Sequence, residues 1–242
     1  YELIAMLDAD GTAVVPHAET RLRRGTSATE ITFGDTGADV EVGAVELDAL
    51  GHPTFRLQVG ADTLELSLSV AGAHQALNAA AAGAVARALG LDVETFARRL
   101  GATSGSDWRM DIHTGRFTVV NDAYNANPQS VEAALRTVVE MAESRSIAVL
   151  GPMAELGSVC EAEHRRIGAL AEQLGVDQLI VVGVDHGYCL GARTITRNAA
   201  DLEEAADTLH AIVEPGDVVL VKASRAAGLE RLALALAEDA AP

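Results

Sequence analysis

The stretch FTVVNDAYNANPQSVEAALRTVVEMAESRSIAVLG, residues 117–151, decides the fold. FTVVND (117–122) is short, β-branched and aromatic, and reads as a strand. PQSVEAALRTVVEMA (128–142) places apolar residues at helical spacing. It opens on Pro128, which a helix tolerates in its first turn. SIAVLG (146–151) is a second strand. The alternation continues with EAEHRRIGALAEQLG (161–175, helix ending in Gly), DQLIVVG (177–183, strand) and a weak TIT strand at 194–196. DLEEAADTLHAIV (201–213, helix), GDVVLVKAS (216–224, strand) and RAAGLERLALALAED (225–239, helix) complete it. The runs IAVL, LIVV and VVLV suit strands covered on both faces. The pattern predicts a doubly wound, mostly parallel, Rossmann-like α/β domain. Its functional loops are expected at the carboxyl ends of the strands, which carry Asp122, Gly151, Gly183 and Lys222-Ala223-Ser224.

Upstream the pattern differs. GTAVV (11–15), ITFG (31–34), ADVEVGAV (38–45), TFRLQV (54–59) and DTLELSLSV (62–70) are short, partly alternating runs punctuated by Gly, Asp and Pro. They predict a small antiparallel sheet, with a hairpin at Gly60-Ala61. HQALNAAAAGAVARAL (74–89) is an Ala-rich helix suited to close packing, and DVETFARRL (92–100) a second helix with Asp92 as N-cap. TSGSD (103–107) is polar and small, a linker. Two domains are expected, 1–107 and 108–242.

The whole chain is acidic: 35 Asp and Glu against 18 Lys and Arg in 242 residues, a net charge of −17. Such a surface argues against a nucleic-acid backbone as partner. With 49% hydrophobic residues a disordered acidic chain is excluded. No apolar run approaches the ~20 residues of a membrane span. The start, YELIAMLDADGTAVV, has no basic n-region and no initiator Met, so the chain is expected to begin inside a longer protein. Cys160 and Cys189, with no CxxC, give no disulfide framework, and a cytoplasmic location is expected. Lys222 is the lone Lys, since the other 17 cations are Arg.

Several segments carry groups suited to chemistry. In NDAYNANPQS (121–130), Asp122 ends a strand where a carboxylate can accept from ribose hydroxyls, and Asn125 and Asn127 can turn the loop and cap the helix. A well-capped strand–helix turn explains the same residues without ligand. KASR (222–225) puts Lys222 and Arg225 at a strand end and helix start, a reasonable anion site, with Ser224 as cap or donor. GPMAELG (151–157) leaves Glu155 on a loop. His74 and Asn78 share one helix face in AGAHQALNA (71–79). Trp108-Arg109 offers a flat cationic surface or a domain-interface plug. Metal and nucleophile motifs are weak: His164 has no second His at i+4, and no GxxxxGK[ST] occurs.

Taken in order, these motifs resemble the Mur ligases, ATP-dependent amide-bond-forming enzymes of peptidoglycan synthesis. DAYNANP (122–128) resembles the D(S/A)YNANP of the members that add D-alanyl-D-alanine. GAHQALNA (72–79), Arg109, the ELG of GPMAELG, His164 and VLVKASR (219–225) add to it. The resemblance implies that residues 1–107 are the rear part of a central ATP-binding domain and 108–242 a Rossmann-like C-terminal ligase domain. A UDP-binding domain and the P-loop half of the central domain would lie upstream. It implies ATP and Mg²⁺ as cofactors, both held mainly by that upstream part, with no metal ligand here. UDP-N-acetylmuramoyl-tripeptide and D-alanyl-D-alanine would be the substrates. An acyl phosphate would be the intermediate, and a cytoplasmic monomer is expected. By the same resemblance Asn78, Arg109 and Asp122 bind ATP. Tyr124, Asn125 and Asn127 shape the active-site loop, while Lys222, Ser224 and Arg225 hold the dipeptide. Gln75 stands where HNxxN has Asn, Pro152 where GDMxELG has Asp, and Ala223 where KGSR has Gly. The 242 residues alone are expected to lack ligase activity and to bind ATP poorly. Another Mur-type or folylpolyglutamate-type ligase, or a non-catalytic Rossmann-like binding module, are the alternatives.

Overall fold

The computed structural model describes residues 2–23, 27–103, 105–184, 187–192 and 196–241. The chain divides into two compact units, Tyr1–Asp48 with His52–Ser104, and Ala49–Gly51 with Gly105–Pro242.

The first unit opens on a short helix, α1 (Glu2–Ala5). Its sheet has five strands in sequential order: β1 (Thr12–Pro16), β2 (Thr29–Gly34), β3 (Val40–Leu47), β4 (Pro53–Val59) and β5 (Asp62–Ser67). β3, β4 and β5 pair antiparallel, and Gly60 sits at φ 63 in the tight β4–β5 turn. The expected antiparallel sheet is thus only half right, because β1–β2 and β2–β3 pair parallel. Alternation reports which face a residue takes, not the direction of its neighbour. The segment between β1 and β2 is long enough for a crossover, whereas the gap at Gly60-Ala61 permits only a hairpin. The Ala-rich α2 (His74–Ala88) buries Ala76, Ala79, Ala80 and Ala84 against Val40, Phe55 and Leu57. Gly83 brings it close: a Cβ there would meet Leu57 and Val40 at 3.4 Å. α3 (Val93–Gly101) is capped by Asp92, whose carboxylate accepts from the Thr95 N–H at 2.8 Å.

The second unit is the predicted doubly wound sheet. Its elements are β6 (Asp111–His113), β7 (Thr118–Asn121), α4 (Pro128–Met141), β8 (Ser146–Leu150), α5 (Cys160–Leu174) and β9 (Gln178–Val182). They continue with β10 (Thr196–Ala199), α6 (Leu202–Ile212), β11 (Val218–Lys222) and α7 (Glu230–Ala240). The strand order is β10-β9-β8-β11-β7-β6, parallel throughout except for β6. β10 starts at Thr196; the remainder of the TIT segment, 194–195, lies outside the described residues. α6 and α7 pack on the face bearing Val119, Ile147, Val149, Ile180, Val182, Val219 and Val221. Strand alternation sends Val120, Ala148, Leu150 and Leu220 to the other face, where α4 lies against β8 and β11. The expected helix at 225–239 is broken: a 3₁₀ turn (Arg225–Ala227) ends at Gly228, φ 68, before α7.

β11, last in sequence, lies between β7 and β8. The chain leaves β7 and β8 toward α4 and α5, and leaves β11 toward α7 on the opposite face. Their carboxyl ends therefore open a crevice at a topological switch point. At the amino-terminal edge, Asp217 is fully buried and receives two bonds from Arg145, at 2.7 and 3.0 Å.

Candidate active site

The loops after β7, β8 and β11 converge on that crevice. Lys222 ends β11 and is turned inward, its side chain 2% exposed. Its ammonium donates to Asp122 Oδ2 at 2.6 Å and to the Asn125 carbonyl at 2.7 Å, and its third contact is the Asp122 carbonyl at 3.5 Å. All three Lys222 donors therefore go to the 122–125 loop. Burial pushes the Lys222 ammonium below the usual lysine range, the Asp122 carboxylate opposes that shift, and Arg109 reinforces it.

Asp122 also reaches backward: its Oδ1 accepts from the Met110 N–H at 3.1 Å. Trp108 and Met110 both hold left-handed backbone, φ 60 and 49, unusual for bulky residues. The Asp122 bond and the Tyr124 N–H to Trp108 carbonyl bond, 3.0 Å, fix this turn beside the loop. Asn127 caps α4 in a reciprocal box with Ser130, and Asn125 Oδ1 accepts from the Ala126 N–H at 2.9 Å. The Ser224 hydroxyl ties two loops together. It accepts from the Ala154 N–H at 2.8 Å and donates to the Ala126 carbonyl at 3.3 Å.

These bonds separate two kinds of residue. Lys222, Ser224, Asn127 and much of Asp122 are spent on holding loops. The outward-facing groups are stacked: the Arg109 guanidinium lies 4.1 Å from the Tyr124 ring centroid, and Arg225 lies 4.8 Å from Trp108 and 5.3 Å from Tyr124. Among the described residues neither arginine is paired with a carboxylate, so both guanidiniums keep donors for an incoming anion. Asn78, exposed on α2, belongs to the first unit, where its amide donates to Gln75 at 2.9 Å. The structure thus brings Arg109, Asp122, Tyr124, Asn125, Lys222, Ser224 and Arg225 together in one unit; Asn78 lies in the other.

Two residues that shape the β8 loop received no site role from sequence. His164 accepts from the Met153 N–H, and the Tyr188 hydroxyl donates to the Gly151 carbonyl. Tyr188 follows no motif, and only the run of chemistry-bearing residues around it would have drawn attention. Among the described residues no group of three or more His, Cys, Asp or Glu is placed to hold a metal ion.

A parallel sheet with a cation-bearing crevice at its switch point marks an α/β protein built to receive anionic ligands. Residues 108–225 match the family model "Mur ligase, glutamate ligase domain". The chain is 41% identical over 262 aligned positions to UDP-N-acetylmuramoyl-tripeptide–D-alanyl-D-alanine ligase of Mycobacterium tuberculosis, covering 97% of this chain and 51% of that protein. A crystal structure of MurF from Acinetobacter baumannii superposes with a TM-score of 0.85 at 26% identity, covering 94% of this chain and 52% of that one. MurF from Thermotoga maritima in complex with ADP shares the fold, with a TM-score of 0.85 at 24% identity over 98% of this chain and 56% of that one. The chain belongs to the Mur ligase family. It spans about half the length of the curated relatives it matches. No described helix is long and apolar enough to cross a membrane.

Proposed function

We propose that this chain is the rear part of the central domain (1–107) and the C-terminal domain (108–242) of an ATP-dependent ligase. The reaction joins D-alanyl-D-alanine to UDP-N-acetylmuramoyl-tripeptide in cytoplasmic peptidoglycan precursor synthesis. The observation that carries this reading is the 122–128 loop, DAYNANP, anchored by Lys222 beside two arginines that pair with no carboxylate among the described residues. The similarity to D-alanyl-D-alanine-adding relatives supports it further.

In this reading the tripeptide carboxylate attacks the γ-phosphorus of ATP and ADP leaves. The dipeptide amine then attacks the acyl carbon, loses a proton, and inorganic phosphate departs. Both steps pass through concentrated negative charge, which fixed cations stabilise. Arg109 and Asp122 are assigned to the ribose–phosphate part of ATP. Arg225 is assigned to the dipeptide carboxylate. The Tyr124 ring carries both guanidiniums, at 4.1 and 5.3 Å from its centroid, while Lys222, Ser224, Asn125 and Asn127 act by fixing the loops. Mg²⁺ would supply charge neutralisation on ATP from ligands outside these residues. The 242-residue chain alone is expected to form no amide bond.

Arg109→Ala and Arg225→Ala in the full-length protein test this assignment, since both side chains lie at the surface of the site. Arg109→Ala is expected to lower ATP-dependent turnover, and Arg225→Ala to raise KM for D-alanyl-D-alanine, each by about tenfold or more with folding retained. Unchanged turnover in both variants would instead favour a non-catalytic binding module.

A further inference from the structure

We infer that His164, with Tyr188 behind it, is a positioning residue for the acceptor-side loop: it sets the backbone of residues 151–154 on which Ser224 rests. This deepens the proposed function and rests on that reading's placing of the dipeptide carboxylate at Arg225, the residue next to Ser224.

His164 sits on α5, 2% exposed, and both ring nitrogens are engaged by backbone. The Met153 N–H donates to Nε2 at 3.0 Å, so Nε2 carries no proton. Nδ1 then bears it and donates to the Cys160 carbonyl at 2.7 Å, one turn back in the same helix. The ring packs edge-on against Tyr188, centroids 4.8 Å apart at 69°. Tyr188 is fully buried, and its hydroxyl donates to the Gly151 carbonyl at 2.9 Å. Burial pushes the Tyr188 phenol up from its ordinary range, which keeps it a donor.

Four consecutive residues are thereby held from two sides. Tyr188 takes the Gly151 carbonyl and His164 the Met153 N–H. From the opposite side, the Ser224 N–H donates to the Pro152 carbonyl at 2.9 Å and the Ser224 hydroxyl accepts from Ala154. A turn with alternate groups fixed by two independent elements has no freedom to shift without breaking a buried bond. His164 also lines an open pocket with Pro152, Met153, Gly183 and Leu190. The Met153 N–H is the group whose acceptor, His164 Nε2, a substitution on α5 removes directly.

Two substitutions separate positioning from bulk. His164→Asn keeps a donor where Nδ1 stood and removes the acceptor, whereas His164→Gln returns an acceptor near Nε2. In the full-length ligase, His164→Asn is expected to raise KM for D-alanyl-D-alanine about tenfold while KM for ATP stays within about twofold. His164→Gln is expected to recover most of that loss. In the 242-residue chain, amide exchange at Met153 and Ala154 should accelerate in His164→Asn while Val149 and Leu179 keep wild-type rates. Should His164→Asn not fold, Tyr188→Phe carries the test, with a smaller rise in the same KM and faster exchange at Met153. Equal changes in both KM values, or uniform exchange acceleration, would overturn the positioning role. A wild-type enzyme that does not use D-alanyl-D-alanine would refute the proposed function, while the exchange pattern would still decide whether His164 holds the loop.

Discussion

Replacing Lys222 by Met removes the ammonium from a buried pair and leaves Asp122 behind. The two side chains are 2% and 12% exposed, with nitrogen and oxygen 2.6 Å apart. With charge centres about 3.5 Å apart and an effective dielectric near 20, their attraction is about 5 kcal/mol. The Asn125 carbonyl also loses its donor, while the cost of burying an ammonium disappears. Removing one partner of a buried pair typically costs about 3–5 kcal/mol, and about 3 kcal/mol is expected here. Trp108, the lone Trp in the sequence, lies 4.8 Å from the Arg225 guanidinium and reports this region. Urea unfolding followed by Trp108 fluorescence should shift to a midpoint lower by about 1–2 M. Lys222→Met with Asp122→Asn should recover about 2 kcal/mol of the single-variant loss. A loss under about 1 kcal/mol, or a double variant no better than the single, would refute the reasoning.

Other residues give separate tests. Gly168→Ala places a Cβ on the Tyr188 carbonyl, so a loss of about 2 kcal/mol or more by denaturant melt is expected. Asn127→Ala removes the capping box of α4 and should cost about 1 kcal/mol in the same assay. The Glu132 carboxyl is held below its ordinary range by bonds from Arg136 and then Arg166, so its contribution is present above about pH 4.5 and is lost as pH falls through its lowered value. Because these ion pairs are partly exposed, Glu132→Gln should cost under about 1 kcal/mol at pH 7 and nothing in strong acid, read as a midpoint difference between the two pH values.

The doubly wound sheet was legible because IAVL, LIVV and VVLV suit strands covered on both faces and alternate with amphipathic helices. β6 was not, since Asp111–His113 are half-buried and carry no apolar run. The parallel pairing of β1 with β2 escaped for a related reason: it depends on where a connection carries the chain. Within the site, DAYNANP and KASR marked residues that the fold brings side by side. The division of labour among them could not be read from the string. VVLVK looks like a strand presenting Lys222 outward, and only the structure shows all three ammonium donors taken up by the 122–125 loop. His164 reads as an isolated helix histidine until its two ring nitrogens are seen to hold Met153 and Cys160, because these bonds go to backbone groups that leave no trace in residue identity.

The most direct measurement is an acceptor screen on the full-length protein with UDP-N-acetylmuramoyl-tripeptide, ATP and Mg²⁺, following phosphate release and product mass. Amide formation with D-alanyl-D-alanine, none with single amino acids, and none by the isolated 242-residue chain is the expected result. Ligation of a single amino acid or of glutamate in place of the dipeptide, or robust amide formation by the isolated chain, would contradict it.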